Sequence, residues 1–121
     1  MLIFSLAQPR SVVAQGVAQV LRGRALEIVD DQGRVRASIS VLPGDPTRKM
    51  PDGSTGFTET VLVRLINSKG RPNVKLQVSD EGSGLMLAGE SDPTYIQIGA
   101  KGTNTSLKLT NKDGRQQLIK P

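Results

Sequence analysis

The residues that could support chemistry in this 121-residue chain are carboxylates and arginines placed around glycine-containing turns. Histidine and cysteine are absent, which excludes imidazole bases, thiol nucleophiles, disulfides and the metal sites built from those ligands. Two adjacent acid pairs, Asp30 with Asp31 and Asp80 with Glu81, could act as acid and base or hold calcium. Turn capping explains both pairs without a ligand, and no Ser-x-x-Lys motif supplies an activated nucleophile. The sequence therefore predicts no catalytic site, no metal and no cofactor.

A more suggestive pattern is an arginine that directly follows the turn glycine in three places, at Arg34, Arg71 and Arg115. If these turns stack, the arginines form a basic strand edge that could bind a phosphate, sulfate or carboxylate polymer. The alternative is a solvated edge that resists aggregation. Arg48 and Lys49, in a proline- and glycine-rich stretch, are further candidate contacts with a partner.

The net charge of +5 favours association with polyanions, but the aromatic content argues against RNA recognition. Phe4, Phe57 and Tyr95 are the only aromatic residues, and proteins that bind single strands need aromatic platforms for the bases. No stretch approaches the roughly 18 apolar residues of a membrane-spanning helix. The apolar segment 1–7 is interpreted as a strand or a clipped export segment.

The elements that must position these groups form an internal repeat. LEIVDDQGR at 26–34 recurs as VRLINSKGR at 63–71 and LKLTNKDGR at 107–115. A degenerate copy, LMLAGESDP, occupies 85–93, with Asp92 in the glycine position and Pro93 in the arginine position. The copies start at 26, 63, 85 and 107, so the unit is 22 residues long and the first interval carries a 15-residue insertion.

Each repeat alternates apolar and polar residues, which predicts β-strands with one apolar face. A slip of one residue would bring charged side chains into that face, so we expect the register to be strongly set. The predicted apolar columns are Leu26/Val63/Leu85/Leu107, Ile28/Leu65/Leu87/Leu109, Ala37/Val74/Ile96/Leu118 and Ile39/Leu76/Ile98/Lys120, the last broken at its terminal residue.

The turns DDQG, NSKG and NKDG predict hairpin tips, with a side-chain cap from Asp30, Asn67 or Asn111 and a closing glycine in the left-handed region. Second turns at 79–84 and 101–106 return the chain. Two all-β architectures satisfy this unit: a meander or roll of antiparallel hairpins, and a flattened β-solenoid whose coils stack in parallel. The glycine turns favour hairpins.

Two regions depart from the repeat. Residues 1–23 are expected to be an irregular N-terminal segment, with either a short helix at 12–20 or an edge strand. Phe4 and Leu6 lie 22 residues before Leu26 and Ile28, which suggests a degenerate fifth repeat. Residues 24–121 form the β-repeat domain. Within it, 43–59 is predicted to be an irregular exposed loop because of its prolines and glycines.

At these residues the chain resembles a type of uncharacterised bacterial protein in which D-x-x-G-x-x-R-like hairpin units recur between alternating aliphatic residues. The resemblance covers 24–120, and DDQGRVRASI at 30–39 is the closest copy. It implies the β-hairpin fold and assigns no reaction.

One repeat cannot bury its own apolar face, so something must cover it. We therefore expect a non-enzymatic structural or protein-interaction module that forms a homo-oligomer, with a trimer as one option, through the aliphatic sheet face. The alternative function is binding of an anionic polymer at the arginine edge. An exported or cell-surface bacterial location is compatible with the sequence and is not indicated by it.

Overall fold

The structure, a computed structural model, describes residues 16–121, and the fold in this range is all-β. Eight strands form one antiparallel sheet in the order β1-β2-β5-β6-β7-β8-β9-β10, and β3 and β4 form a separate two-stranded hairpin. The strands are β1 Ala25–Val29, β2 Val35–Leu42, β3 Asp45–Lys49, β4 Thr55–Phe57, β5 Thr60–Ile66, β6 Pro72–Ser79, β7 Gly82–Ala88, β8 Tyr95–Lys101, β9 Asn104–Thr110 and β10 Gln116–Ile119.

Neighbouring strands of the large sheet follow one another in sequence, apart from the inserted hairpin between β2 and β5. This confirms the predicted antiparallel hairpins. The parallel stacking of a solenoid is not what residues 16–121 adopt, because every strand pair described there is antiparallel. The sheet is open, with β1 and β10 as its edges.

The hairpin tips have the predicted turn chemistry. Gly33, Gly70 and Gly114 have φ values of 78°, 85° and 88°, in the left-handed region that glycine enters without a Cβ penalty. Asp30 Oδ1 accepts the N–H of Gln32, and Asn67 Oδ1 accepts the N–H of Lys69, each at 2.9 Å. The side-chain caps predicted at these two tips are therefore confirmed.

Replacing Gly70 by alanine tests this turn. A Cβ at Gly70 meets no atom within 4 Å, so the substitution adds backbone strain alone. We expect Gly70→Ala to lower the free energy of unfolding by about 1–2 kcal/mol. Gly99→Ala is the control, because Gly99 lies in a strand and its nearest contact would be Ser83 O at an ordinary 3.8 Å. Denaturant titration measures both variants, and equal stabilities would contradict the assigned turn.

The last hairpin differs from the first two, and two predicted columns are wrong at their last residues, Leu118 and Lys120. The β1–β2 and β5–β6 pairs contain a register shift next to the tip, whereas β9–β10 pairs without one. Without the extra residue, Leu109 lies opposite Gln117 and Leu107 opposite Ile119. Leu118 therefore leaves the aliphatic column and lies on the opposite face of the sheet, since successive strand residues alternate between faces.

The insertion at 43–59 is more ordered than predicted. It forms the β3–β4 hairpin, with Asp45 opposite Phe57 and Lys49 opposite Thr55. Two short local motifs supply the order: Asp45 Oδ1 accepts the N–H of Thr47, and Asp52 Oδ1 accepts that of Ser54, each at 2.9 Å. The prediction of an irregular loop is wrong. The prolines and glycines of this segment are compatible with a hairpin whose turns are capped by Asp45 and Asp52.

The structure tests only part of the predictions for the N-terminal segment. Residues 16–23 contain neither helix nor strand, so the described end of the helix predicted at 12–20 is not helical. Residues 1–15, with the suggested fifth repeat at Phe4 and Leu6, lie outside the described residues. Across 16–121 there is also no helical segment with the length and apolarity needed to cross a bilayer.

Candidate functional site

One surface of the large sheet, here called the aliphatic face, carries three rows of mainly apolar side chains that run across the strands. None of the strand residues on this face is charged. The longest row crosses all eight strands with an aliphatic residue on each, in the order Leu26, Ile39, Val63, Leu76, Leu85, Ile98, Leu107 and Ile119.

These aliphatic side chains are uncovered in the single chain. Leu76, in the middle of the longest row, is 50% exposed, and most large side chains around it are exposed to a similar degree. Among residues 16–121 the only buried apolar residue is Leu62, at 5% exposure, and it lies on the other face of the sheet. The described chain is therefore a single layer whose main apolar surface packs against nothing in it.

The predicted arginines all lie at one end of the sheet, here called the tip edge, which is formed by the turns at 30–34, 67–71, 89–94 and 111–115. The structure thus brings Arg34, Arg71 and Arg115 to a common edge, as predicted. Arg48 and Lys49 do not join them: both are exposed in β3 of the inserted hairpin.

Each arginine of the tip edge is already engaged by the protein. Arg34 Nε lies 2.9 Å from Asp30 Oδ2, and its Nη1 donates to Ser68 O of the next hairpin at 2.8 Å. Arg71 Nη2 lies 2.8 Å from Asp92 Oδ1, and Arg115 Nε lies 2.6 Å from a carboxylate oxygen of Asp113.

The degenerate third tip is bonded to the neighbouring hairpin through Asp92, the residue that replaces the turn glycine. Besides its ion pair with Arg71, Asp92 accepts a hydrogen bond from the Tyr95 hydroxyl. The Arg71 guanidinium, followed by the Tyr95 hydroxyl, holds the pKa of Asp92 below its ordinary value. Asn73 Nδ2 adds bonds of 2.9 Å to Ala88 O and Gly89 O. The polar groups of the tip edge therefore join neighbouring hairpins.

Acid should weaken the first tip. Desolvation raises the pKa of Asp30, but N–H groups of Arg34 and Gln32 and the Arg34 guanidinium outweigh it and lower the pKa from 3.8 to about 2. A lowered folded-state pKa stabilises the fold above the ordinary value and loses that contribution as the pH falls towards the folded one. We expect the melting temperature to fall between about pH 4 and pH 2, and Asp30→Asn to flatten that fall. An unchanged slope in the variant, measured by circular dichroism, would contradict this assignment.

The sequence did not single out a third surface, a groove on the polar face of the sheet. Its volume is about 880 Å³, and it lies between the β3–β4 hairpin and strands β6–β9. Lys75, Lys101, Lys108 and Lys120 line it, and we call it the lysine groove. Lys75 and Lys108 were apparent only as polar positions in alternating strands, because their grouping depends on the cross-strand register. Lys120 joins them because β10 lacks the register shift.

Four glycines lie in the lining of the groove: Gly56, Gly82, Gly84 and Gly99. Gly84 and Gly99 are directly opposite each other on β7 and β8. Asp52 and Glu81 also line the groove; Glu81 Oε1 lies 3.9 Å from Lys101 Nζ. Within residues 16–121 no group of histidine, cysteine or acidic side chains is arranged to hold a metal ion.

Comparison with protein-family models, with curated proteins and with solved structures finds no match for this chain. The resemblance to bacterial hairpin-repeat proteins stays a prediction.

Proposed function

We propose that this protein is a non-enzymatic structural module that self-associates by packing the aliphatic faces of two copies together. The observation that carries the proposal is the uncharged aliphatic face, which has large aliphatic side chains 38–55% exposed on seven of the eight strands of the sheet. An apolar sheet face is stable in water only when a second layer covers it. A contiguous exposed apolar surface of this extent is also a mark of interaction sites.

The size of the aliphatic face fits an interface between two copies. Eight strands about 4.8 Å apart span about 38 Å, and three rows at two-residue spacing span about 20 Å along the strands. Each copy would bury roughly 750 Å², close to the ~800 Å² per partner of a standard-size protein interface.

The shape of the aliphatic face favours a second copy as the occupant. One of its rows has Val41, Val61 and Val78 on β2, β5 and β6, followed by Ser83, Ala100 and Thr105 on β7, β8 and β9. The smaller residues border a shallow apolar depression of about 710 Å³.

A two-fold axis parallel to the strands would make the larger and smaller halves of this row meet. It exchanges β6 with β7 and β5 with β8, so Val78 faces Ser83 of the second copy and Val61 faces Ala100. Because a two-fold contact uses the same patch on both subunits, every such match occurs twice. This pairing covers the whole face, so we propose a dimer where the sequence left a trimer open.

Residues 1–15 are too few to replace the second copy. Fifteen residues reach about 50 Å when fully extended, and one strand covers a band about 5 Å wide. The aliphatic face is eight strands wide.

Thiol reactivity at two adjacent residues tests the proposal, because the chain has no natural cysteine. Ile98 lies on the aliphatic face and Gln97 on the polar face of β8. We expect Ile98→Cys to react slowly with a maleimide at high protein concentration and faster on dilution, and Gln97→Cys to react fast throughout. Dilution-independent protection of Ile98→Cys would contradict a second copy as the cover, and equally fast reaction at both sites would contradict any cover.

The anionic-polymer alternative is not proposed at the arginine edge. Arg34, Arg71 and Arg115 each have a carboxylate partner, and two of them also donate to a backbone carbonyl of the next tip. The charges of these three arginines are therefore neutralised by carboxylates of the protein itself.

A further inference from the structure

The lysine groove lies on the face turned away from the proposed dimer interface, so it would stay open in either oligomeric state. Lys75 and Lys108 lie in one cross-strand row, separated by Met86 and Gln97. Three strand spacings place their Cα atoms about 14 Å apart. Lys101 lies farther along β8, and Lys120 follows the last residue of β10.

The cations of the groove lack the partners that neutralise the tip edge. In the part of the chain that the structure describes, Lys75, Lys108 and Lys120 form no ion pair, and Lys101 has only the 3.9 Å contact with Glu81. The tip arginines, by comparison, have carboxylates at 2.6–2.9 Å.

A second observation, at Arg64 beside the groove and outside its lining, also points to an anion. Arg64 lies directly opposite Lys75 on the neighbouring strand, and like charges in that position destabilise a sheet. The buried Nε of Arg64 has no hydrogen-bond partner within residues 16–121. An anion bound over this row would offset the repulsion between Arg64 and Lys75. The one carboxylate of the row, Glu27, does not do so, because it lies two strands away from Arg64, on the far side of Ser38.

The uncharged lining distinguishes between classes of polyanion. Phe57 is the one aromatic side chain in the lining, whereas single-stranded nucleic acids are held by several aromatic platforms on which the bases stack. The uncharged polar side chains of the lining are amides and hydroxyls, including Gln77, Gln97 and Ser106, which are donors and acceptors suited to sugar hydroxyls. Lysine ammonium groups act as point charges for carboxylate or sulfate groups along a chain.

We propose that the lysine groove binds a linear acidic polysaccharide, with Lys75 and Lys108 contacting its anionic groups above the glycine pair Gly84 and Gly99. This site is independent of the proposed self-association, because it lies on the other face of the sheet. If both proposals hold, a dimer presents two such grooves on opposite outer surfaces and cross-links polysaccharide chains.

The test is binding of the full chain to polygalacturonate, which carries carboxylates, and to dextran sulfate, with neutral dextran and single-stranded DNA as comparisons. The groove variant is Lys75→Gln with Lys108→Gln. Its matched control is Lys69→Gln with Lys112→Gln, which removes the same charge from two turns of the tip edge. Since each lysine at a polyanionic surface contributes roughly a fivefold effect, we expect the groove variant to bind at least about tenfold more weakly and the control less than about twofold.

Gly99→Val tests the shape of the groove without changing its charge. A Cβ at Gly99 makes only an ordinary contact, and valine is favoured in strands, so the variant should fold and still bind more weakly. If valine disturbs the sheet, Gly99→Ala replaces it in the binding test, because alanine adds only a Cβ. Far-UV circular dichroism shows whether each variant keeps its strand content.

Three results would overturn the proposal: no binding to either acidic polysaccharide, equal losses in the groove and tip-edge variants, or tighter binding of single-stranded DNA than of both polysaccharides. The second would mean that net charge alone attracts the polymer, and the third would assign the groove to nucleic acid. A monomeric protein that binds polygalacturonate through Lys75 and Lys108 would support the groove while contradicting the proposed self-association.

Discussion

Leu76→Asp is expected to separate the two copies and lower the melting temperature strongly. Leu76 lies on β6, beside the proposed two-fold axis, and faces Leu85 of the second copy across it. The variant places a carboxylate between two apolar sheets, where it has no partner and loses its hydration. Truncation of the few residues that dominate an interface weakens binding by about 30- to 1,000-fold, and we expect a buried carboxylate at this central position to have an effect in that range.

Leu118→Asp is the matched control for Leu76→Asp. Leu118 is 55% exposed and Leu76 50%, and both are leucines in strands, but Leu118 lies on the polar face. We expect it to leave the oligomeric state unchanged. Sedimentation velocity over a range of concentrations separates the two results, and a Leu76→Asp protein that associates as the unmodified chain does would contradict the proposed interface.

The second large effect is expected at Gly82, at the start of β7. A Cβ there would overlap Ala100 O and lie 2.8 Å from Lys101 Cα, and both atoms belong to the backbone of the paired strand. Because the backbone of β8 cannot move aside without breaking its pairing, we expect Gly82→Ala to cost about 3 kcal/mol or more of unfolding free energy.

Gly99→Ala serves as the control for Gly82→Ala as well. Gly99 lies on the adjacent strand, its new Cβ has room, and we expect no loss of stability. Chemical denaturation followed by circular dichroism gives both values. If Gly82→Ala is as stable as Gly99→Ala, the close approach of β7 and β8 at this end of the sheet is wrong.

The strands and tips could be predicted from sequence because they depend on local rules. Alternating aliphatic residues define strands, and an aspartate or asparagine followed three residues later by glycine defines the tip. The same rules failed at Leu118, because whether a hairpin contains a bulge is not visible in a four-residue turn sequence. Without the bulge in β9–β10, the two faces exchange for every later residue.

The candidate sites were less predictable because they depend on contacts between strands. The spacing of Arg34, Arg71 and Arg115 predicted a common edge, but their partners Asp30, Asp92 and Asp113 became apparent only in three dimensions. The lysine groove required the register of four strands. The aliphatic face was predictable from its columns, whereas its uncovered state depends on where the inserted hairpin lies.

The most direct test of the central claim is the mass of the unmodified protein in solution. One chain weighs 12.9 kDa. Sedimentation equilibrium over a hundredfold concentration range should give a mass of about 26 kDa that falls towards that of one chain on dilution. A stable monomer at the highest concentration would contradict the account, because the aliphatic face would then be exposed in water with no second copy to cover it.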